Sequence, residues 1–161
     1  MGALEVLSRH LNRGIEALLV VLGASMSTVV AAQVFSRYAL NYSLFWSEEL
    51  ARYLLVWLSF LGATVAYYRG LHPGVDAVYA RLPPGARRAA SVAVHLASLL
   101  LFGIMVVYGW RFAHFVRFQI SPALHVPKWI PHAVLPLSGA VLALHALGFL
   151  IRELGRRPRD R

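Results

Sequence analysis

No cysteine occurs in this chain, so disulfides, thiolate catalysis and cysteine-ligated metals are excluded together. Acidic residues are scarce as well: seven Asp and Glu stand against sixteen Lys and Arg. No Asp or Glu lies between Ala17 and Ser36, between Ala89 and Trp110, or between Trp129 and Ile151. A proton or ion relay across a membrane needs acidic groups at mid-depth on several helices, and this pattern does not supply them. Also missing are an internal repeat, a phosphate-binding glycine loop, a hydrolase nucleophile elbow, and the paired glycine-rich interruptions that mark many transporter binding sites. Alone, such a chain is too small and too apolar to move a polar solute.

What is present is apolar. Hydrophobic residues make up 58% of the chain and charged residues 14%, whereas soluble domains are roughly half apolar and a quarter charged. The apolar residues gather into four blocks of bilayer-crossing length, at 17–36, 48–68, 89–110 and 129–151. The second has an uncharged part, Tyr53 to Tyr68, that is short for a crossing, and it reaches about 21 residues only if it starts near Glu48. The first block is longer than the apolar region of a typical signal peptide, and it reads as a retained signal anchor. The expectation is an all-α membrane protein of four transmembrane helices. A segment 1–16 precedes them and a basic tail 152–161 follows.

The basic residues sit between and beyond the blocks instead of lining a groove, which points to membrane orientation and not to nucleic acid. With the N-terminus in the cytoplasm, the inner segments hold Arg9, Arg13, Arg69, Arg81, Arg87, Arg88, Arg152, Arg156, Arg157, Arg159 and Arg161. The outer segments hold only Arg37, Arg52, Arg111, Arg117 and Lys128. Short loops rich in Lys and Arg stay inside, so both termini are expected in the cytoplasm. Between spans two and three, residues 75–82 form a short mixed stretch suited to the cytoplasmic surface, before Pro83–Pro84–Gly85 turns the chain. Pro136 is expected to break the hydrogen bonding of span four locally.

Glu48, Glu49 and Arg52 stand where span two begins. One reading is capping: Ser47 as N-cap, two acids in the first turn where the helix dipole favours them, and Arg52 within reach of either. Capping needs only one acid, however. With Arg37 at the end of span one, the cluster also suits a lock between spans one and two, or a contact with another membrane protein.

Seven histidines open a rival reading. Spans three and four run in opposite directions, so His95 and His145 fall at similar depth, as do His114 and His132. Paired imidazoles on facing helices are how a membrane b-type cytochrome anchor holds haem. The unequal spacing of the two pairs along their helices, about 28 Å against about 20 Å, weighs against it.

The order "FSRY", "FWSEELARYLLVWLSFLGATVAYYRG", "LHPGVDAVYARLP" and "SPALHVPKWIPHAVLPLSG" resembles the small membrane subunit, DctQ-type, of tripartite ATP-independent periplasmic (TRAP) transporters. The resemblance runs from about Gln33 to Gly148, and Pro73–Gly74 after His72 departs from it. It implies a non-catalytic scaffold without cofactor in a bacterial or archaeal inner membrane. Its partners would be a large permease subunit, which carries the substrate and sodium sites, and a periplasmic substrate-binding protein that delivers an organic acid. The interaction residues it implies are Arg37, Trp46, Glu48, Glu49, Arg52 and Trp57, with Arg69, His72 and Asp76 on the cytoplasmic side.

Overall fold

The computed structural model describes residues 3–70 and 83–155. Its helices are α1 (Ala3–Ala39), α2 (Phe45–Tyr68), α3 (Pro84–Phe115), the single turn α4 (Trp129–His132) and α5 (Val134–Gly155). Among the described residues there is no strand, only an isolated antiparallel pairing of Ile120 with Pro127. α1, α2, α3 and the joined α4–α5 segment are each long and apolar enough to cross a membrane. The chain is an all-α, multi-pass membrane protein.

The helices outrun their apolar blocks. α1 has 37 residues, about 55 Å, well beyond a hydrocarbon core of about 30 Å. Much of the segment expected to precede span one is therefore its first turns. Ser8, Asn12 and Ile15 recur at helical spacing and are buried, which gives this polar stretch an inward face. α3 starts at Pro84, five residues before the apolar block, with Pro83 extended as its N-cap. Proline at the first helical position loses no hydrogen bond, so this pair begins the helix.

α2 and α5 form the centre, with α1 packed on α2 and α3 packed on α5. One apolar cluster joins Ile15, Leu61 and Val134 from α1, α2 and α5, and a second joins Phe102, Leu142 and Ala146 from α3 and α5. The α3–α5 contact is close because of two glycines. A Cβ on Gly139 would lie 3.1 Å from Met105 Cβ and 3.2 Å from the Phe102 carbonyl, and one on Gly109 would lie 3.0 Å from Pro136. Lipid tails are as apolar as leucine, so close backbone approach and dispersion hold such helices together. Large apolar side chains left outside this packing, among them Val20, Phe35 and Leu100, suit contact with lipid.

The α1–α2 connection is tight. Ser36 closes it: its carbonyl accepts from the amides of Leu40 and Tyr42, and its hydroxyl donates to the Tyr42 carbonyl at 2.7 Å. Asn41 turns the chain with φ 49°, a left-handed conformation that asparagine tolerates. α2 then starts at Phe45, with Leu44 as N-cap and no side-chain cap. Ser47 is not the cap. It lies inside the first turn, fully buried, and its hydroxyl donates back to the Leu44 carbonyl at 2.7 Å.

At the same end, residues 119–128 form a closed hairpin. The Ser121 amide donates to the Val126 carbonyl at 2.9 Å, the Lys128 amide to the Gln119 carbonyl at 2.8 Å, and the Val126 amide to Ser121 Oγ at 3.2 Å. His125 holds the turn at φ 56°. This hairpin end and the opposite, terminal end carry the polar contacts of the bundle. The break in span four falls at Ala133, between α4 and α5, and Pro136 follows in the first turn of α5.

Candidate functional site

Glu49 organises the hairpin end. Its Oε2 accepts from the amides of Ala123 at 2.8 Å and Leu124 at 3.1 Å, and its Oε1 accepts from the Tyr53 hydroxyl at 2.6 Å. Two backbone donors and a phenol thus satisfy the carboxylate without a cation, and the head of α2 is tied to the hairpin. Glu48, one residue away, points elsewhere. It pairs with Arg52 at 3.1 Å across one helical turn, both side chains about two-thirds exposed (69% and 68%). An exposed i,i+4 pair contributes little to folding, so these charges are free to meet something outside the chain.

Arg37 is exposed and has no ion pair or side-chain hydrogen bond among the described residues, so the structure does not bring it into the cluster. Trp46 is exposed beside Phe45. Trp57 is half-buried and packs against the cluster of Ile15, Leu61 and Val134. At the terminal end Arg69 is engaged within the chain: its Nη2 and Nε donate to Glu16 Oε1 at 2.7 and 3.1 Å, and Asn12 Nδ2 donates to the same oxygen at 2.6 Å. This joins α1 to the end of α2. His72, Asp76, the 75–82 stretch and residues 156–161 lie outside the described residues.

The two histidines of the haem reading face different neighbours: His145 meets α1 and α2, and His95 of α3 meets Phe149 of α5. His145 is buried, its Nδ1 shares a hydrogen bond with Ser8 Oγ, and its ring lies 5.0 Å from that of Tyr68. His95 packs 6.1 Å from Phe149 and lines a cleft with Tyr67, Val94, Arg152 and Glu153 that does not include His145. Nothing here favours a shared prosthetic group.

Sequence reasoning passed over Ser8, Glu16, Ser36 and Tyr53. Ser8, Asn12 and Glu16 follow one another at i, i+4 and i+8, a polar helical face that could have been read as an inward one. Ser36 and Tyr53 gave no such signal, because their partners are set by the turn and the hairpin. Four hydroxyls within the spans are spent locally: Thr28, Ser59, Thr64 and Ser138 each donate to a carbonyl three or four residues earlier in their own helix.

Residues 26–156 match the family described as tripartite ATP-independent periplasmic transporters, DctQ component. The chain is 32% identical to the ectoine TRAP transporter small permease protein of Halomonas elongata, over 98% of its own length and 81% of that relative's. It is 28% identical to the sialic acid TRAP transporter small permease protein of Vibrio cholerae, over 89% of this chain and 83% of that protein. It is also 31% identical to the isethionate TRAP transporter permease protein of Oleidesulfovibrio alaskensis, where 63% of this chain aligns with only 16% of a much longer polypeptide.

Proposed function

Given that the chain belongs to the DctQ-component family of TRAP transporters and is a small permease subunit, not an enzyme, we propose that it is the fixed brace of a sodium-coupled importer of an organic acid. Its partners are a large permease subunit and a periplasmic substrate-binding protein, and its place is the inner membrane with both termini in the cytoplasm. The excess of arginine on the terminal side supports that orientation. The long relative named for isethionate supports the pairing with a large permease, since a segment like this chain is there part of a larger permease protein. Relatives named for sialic acid and isethionate support an organic anion as cargo.

One observation carries the scaffold reading: the carboxylates of Glu49 and Glu16 and several hydroxyls within the spans are engaged inside the chain. Glu49 is taken by the hairpin, Glu16 by Arg69, and the hydroxyls of Thr28, Thr64 and Ser138 by their own helices. A path for a charged solute needs polar groups facing a cavity at mid-depth. In this reading Arg37, Trp46, Glu48 and Arg52 face the partner, Glu49, Trp57 and Arg69 hold the brace in shape, and His72 and Asp76 add a cytoplasmic contact.

The test is purification of the tagged chain from its native membrane in mild detergent. Co-elution of a large multi-span permease is expected. Elution of the chain alone, under conditions that preserve other membrane complexes, contradicts the proposal.

A further inference from the structure

The hairpin end also holds a cavity of about 600 Å³ between α3 and the α4–α5 segment, a size usual for small-ligand sites. Its lining includes Trp110, Ala113, His114 and Arg117 on the α3 side and Trp129 and Leu137 on the α4–α5 side. The space lies beside the break at Ala133, where Gly109 holds α3 tightly against Leu135 and Pro136. Trp110, Trp129 and Leu137 remain substantially exposed, so the cavity opens sideways toward lipid.

Three features define what fits. The walls are almost wholly apolar, which suits an acyl chain. Two tryptophans flank the opening, and indole rings settle at the headgroup level of a bilayer, where lipid phosphates lie. Arg117 supplies the charge. Its Nη1 donates to the His114 carbonyl at 3.1 Å and its guanidinium lies 4.4 Å from the Phe118 ring centroid, which fixes its position. Its other N–H groups have no partner among the described residues, and a guanidinium fork matches a phosphate. The geometry points to a binding site for a membrane phospholipid of net negative charge, with one acyl chain along the apolar walls and the phosphate on Arg117. A helix of a partner subunit could fill the apolar walls, but it would leave the cation without an anion.

The test uses the full chain in mild detergent, titrated with brominated phosphatidylglycerol or brominated phosphatidylcholine while tryptophan emission is read. Phosphatidylglycerol is expected to reach half-quenching at an about tenfold lower mole fraction, the worth of one charge-assisted contact. Arg117→Gln brings the two curves together, Arg117→Lys keeps part of the preference, and Arg111→Gln leaves it intact. The double change Trp110→Phe with Trp129→Phe removes the tight phase, leaving Trp46 and Trp57 weakly quenched. Glycerol 1-phosphate alone does not displace the lipid. Equal quenching by both lipids, or a preference that survives Arg117→Gln, overturns the site. So does a complex with the large permease in which Leu137→Cys cross-links to that subunit and no phospholipid is retained, because the cavity is then a subunit contact.

Discussion

The Glu49 carboxylate and the Ala123 amide, 74 residues apart in sequence, meet at 2.8 Å and fasten the head of α2 to the hairpin before α4. Adjacent glutamates therefore do different work. Glu49 is an acceptor for backbone donors inside the fold, and Glu48 forms an exposed pair with Arg52. A single acid would close the hairpin, and the second leaves a charged pair on the outer face of α2.

Glu49→Ala is expected to release the hairpin without unfolding the bundle. Hydrogen exchange at the Ala123 and Leu124 amides should accelerate by about tenfold or more, because local opening there no longer breaks a charge-assisted bond. Glu48→Lys should leave both amides unchanged. Equal protection in the two variants would show that the hairpin holds itself.

The converse holds for assembly. Glu48→Lys should change the stability of the isolated chain by about 0.5 kcal/mol or less, as is usual for exposed ion pairs. It should nonetheless reduce the large permease recovered with the tagged chain. Undiminished recovery together with full uptake would remove Glu48 and Arg52 from the partner surface.

The α3–α5 seam should be intolerant of bulk at Gly139. Gly139→Leu drives side-chain atoms into Met105, Val106 and the Phe102 carbonyl, and overpacking of this kind costs about 1–3 kcal/mol. Thermal unfolding in detergent measures it. Gly103→Ala, with nothing within 4 Å of an added Cβ, is the matched control and should be near neutral.

Ser8 and His145 should be energetically coupled. Ser8→Ala leaves a buried imidazole nitrogen without its partner, a loss of about 1–3 kcal/mol. The double variant Ser8→Ala, His145→Leu should recover part of it, since an apolar pair leaves nothing unsatisfied. Strict additivity would show that the contact contributes nothing.

The four crossings were legible in the sequence because each is a long apolar block, and a bilayer imposes its length directly on the chain. Arg52 with Glu48 was legible too, since i,i+4 partners are fixed by helix geometry alone. The hairpin bond of Glu49 was not, because nothing local announces an acceptor for amides 74 positions away. The residue type of Ser47 suggests a cap, whereas the tight turn clamped by Ser36 puts the N-cap three residues earlier, at Leu44. The extension of α1 is hidden by charge: Arg9, Arg13 and Glu16 interrupt the apolar pattern, yet Ser8, Asn12 and Ile15 among them form a buried face. The ion pair of Arg69 with Glu16 was not legible, because Glu16 lies in the segment expected to precede the first span.

The most direct measurement is uptake of a labelled organic acid into proteoliposomes under an inward sodium gradient. One set contains this chain alone, and another contains it with the large permease and the binding protein. A brace without a pathway gives accumulation only in the complete set. Accumulation against a gradient by this chain alone contradicts it.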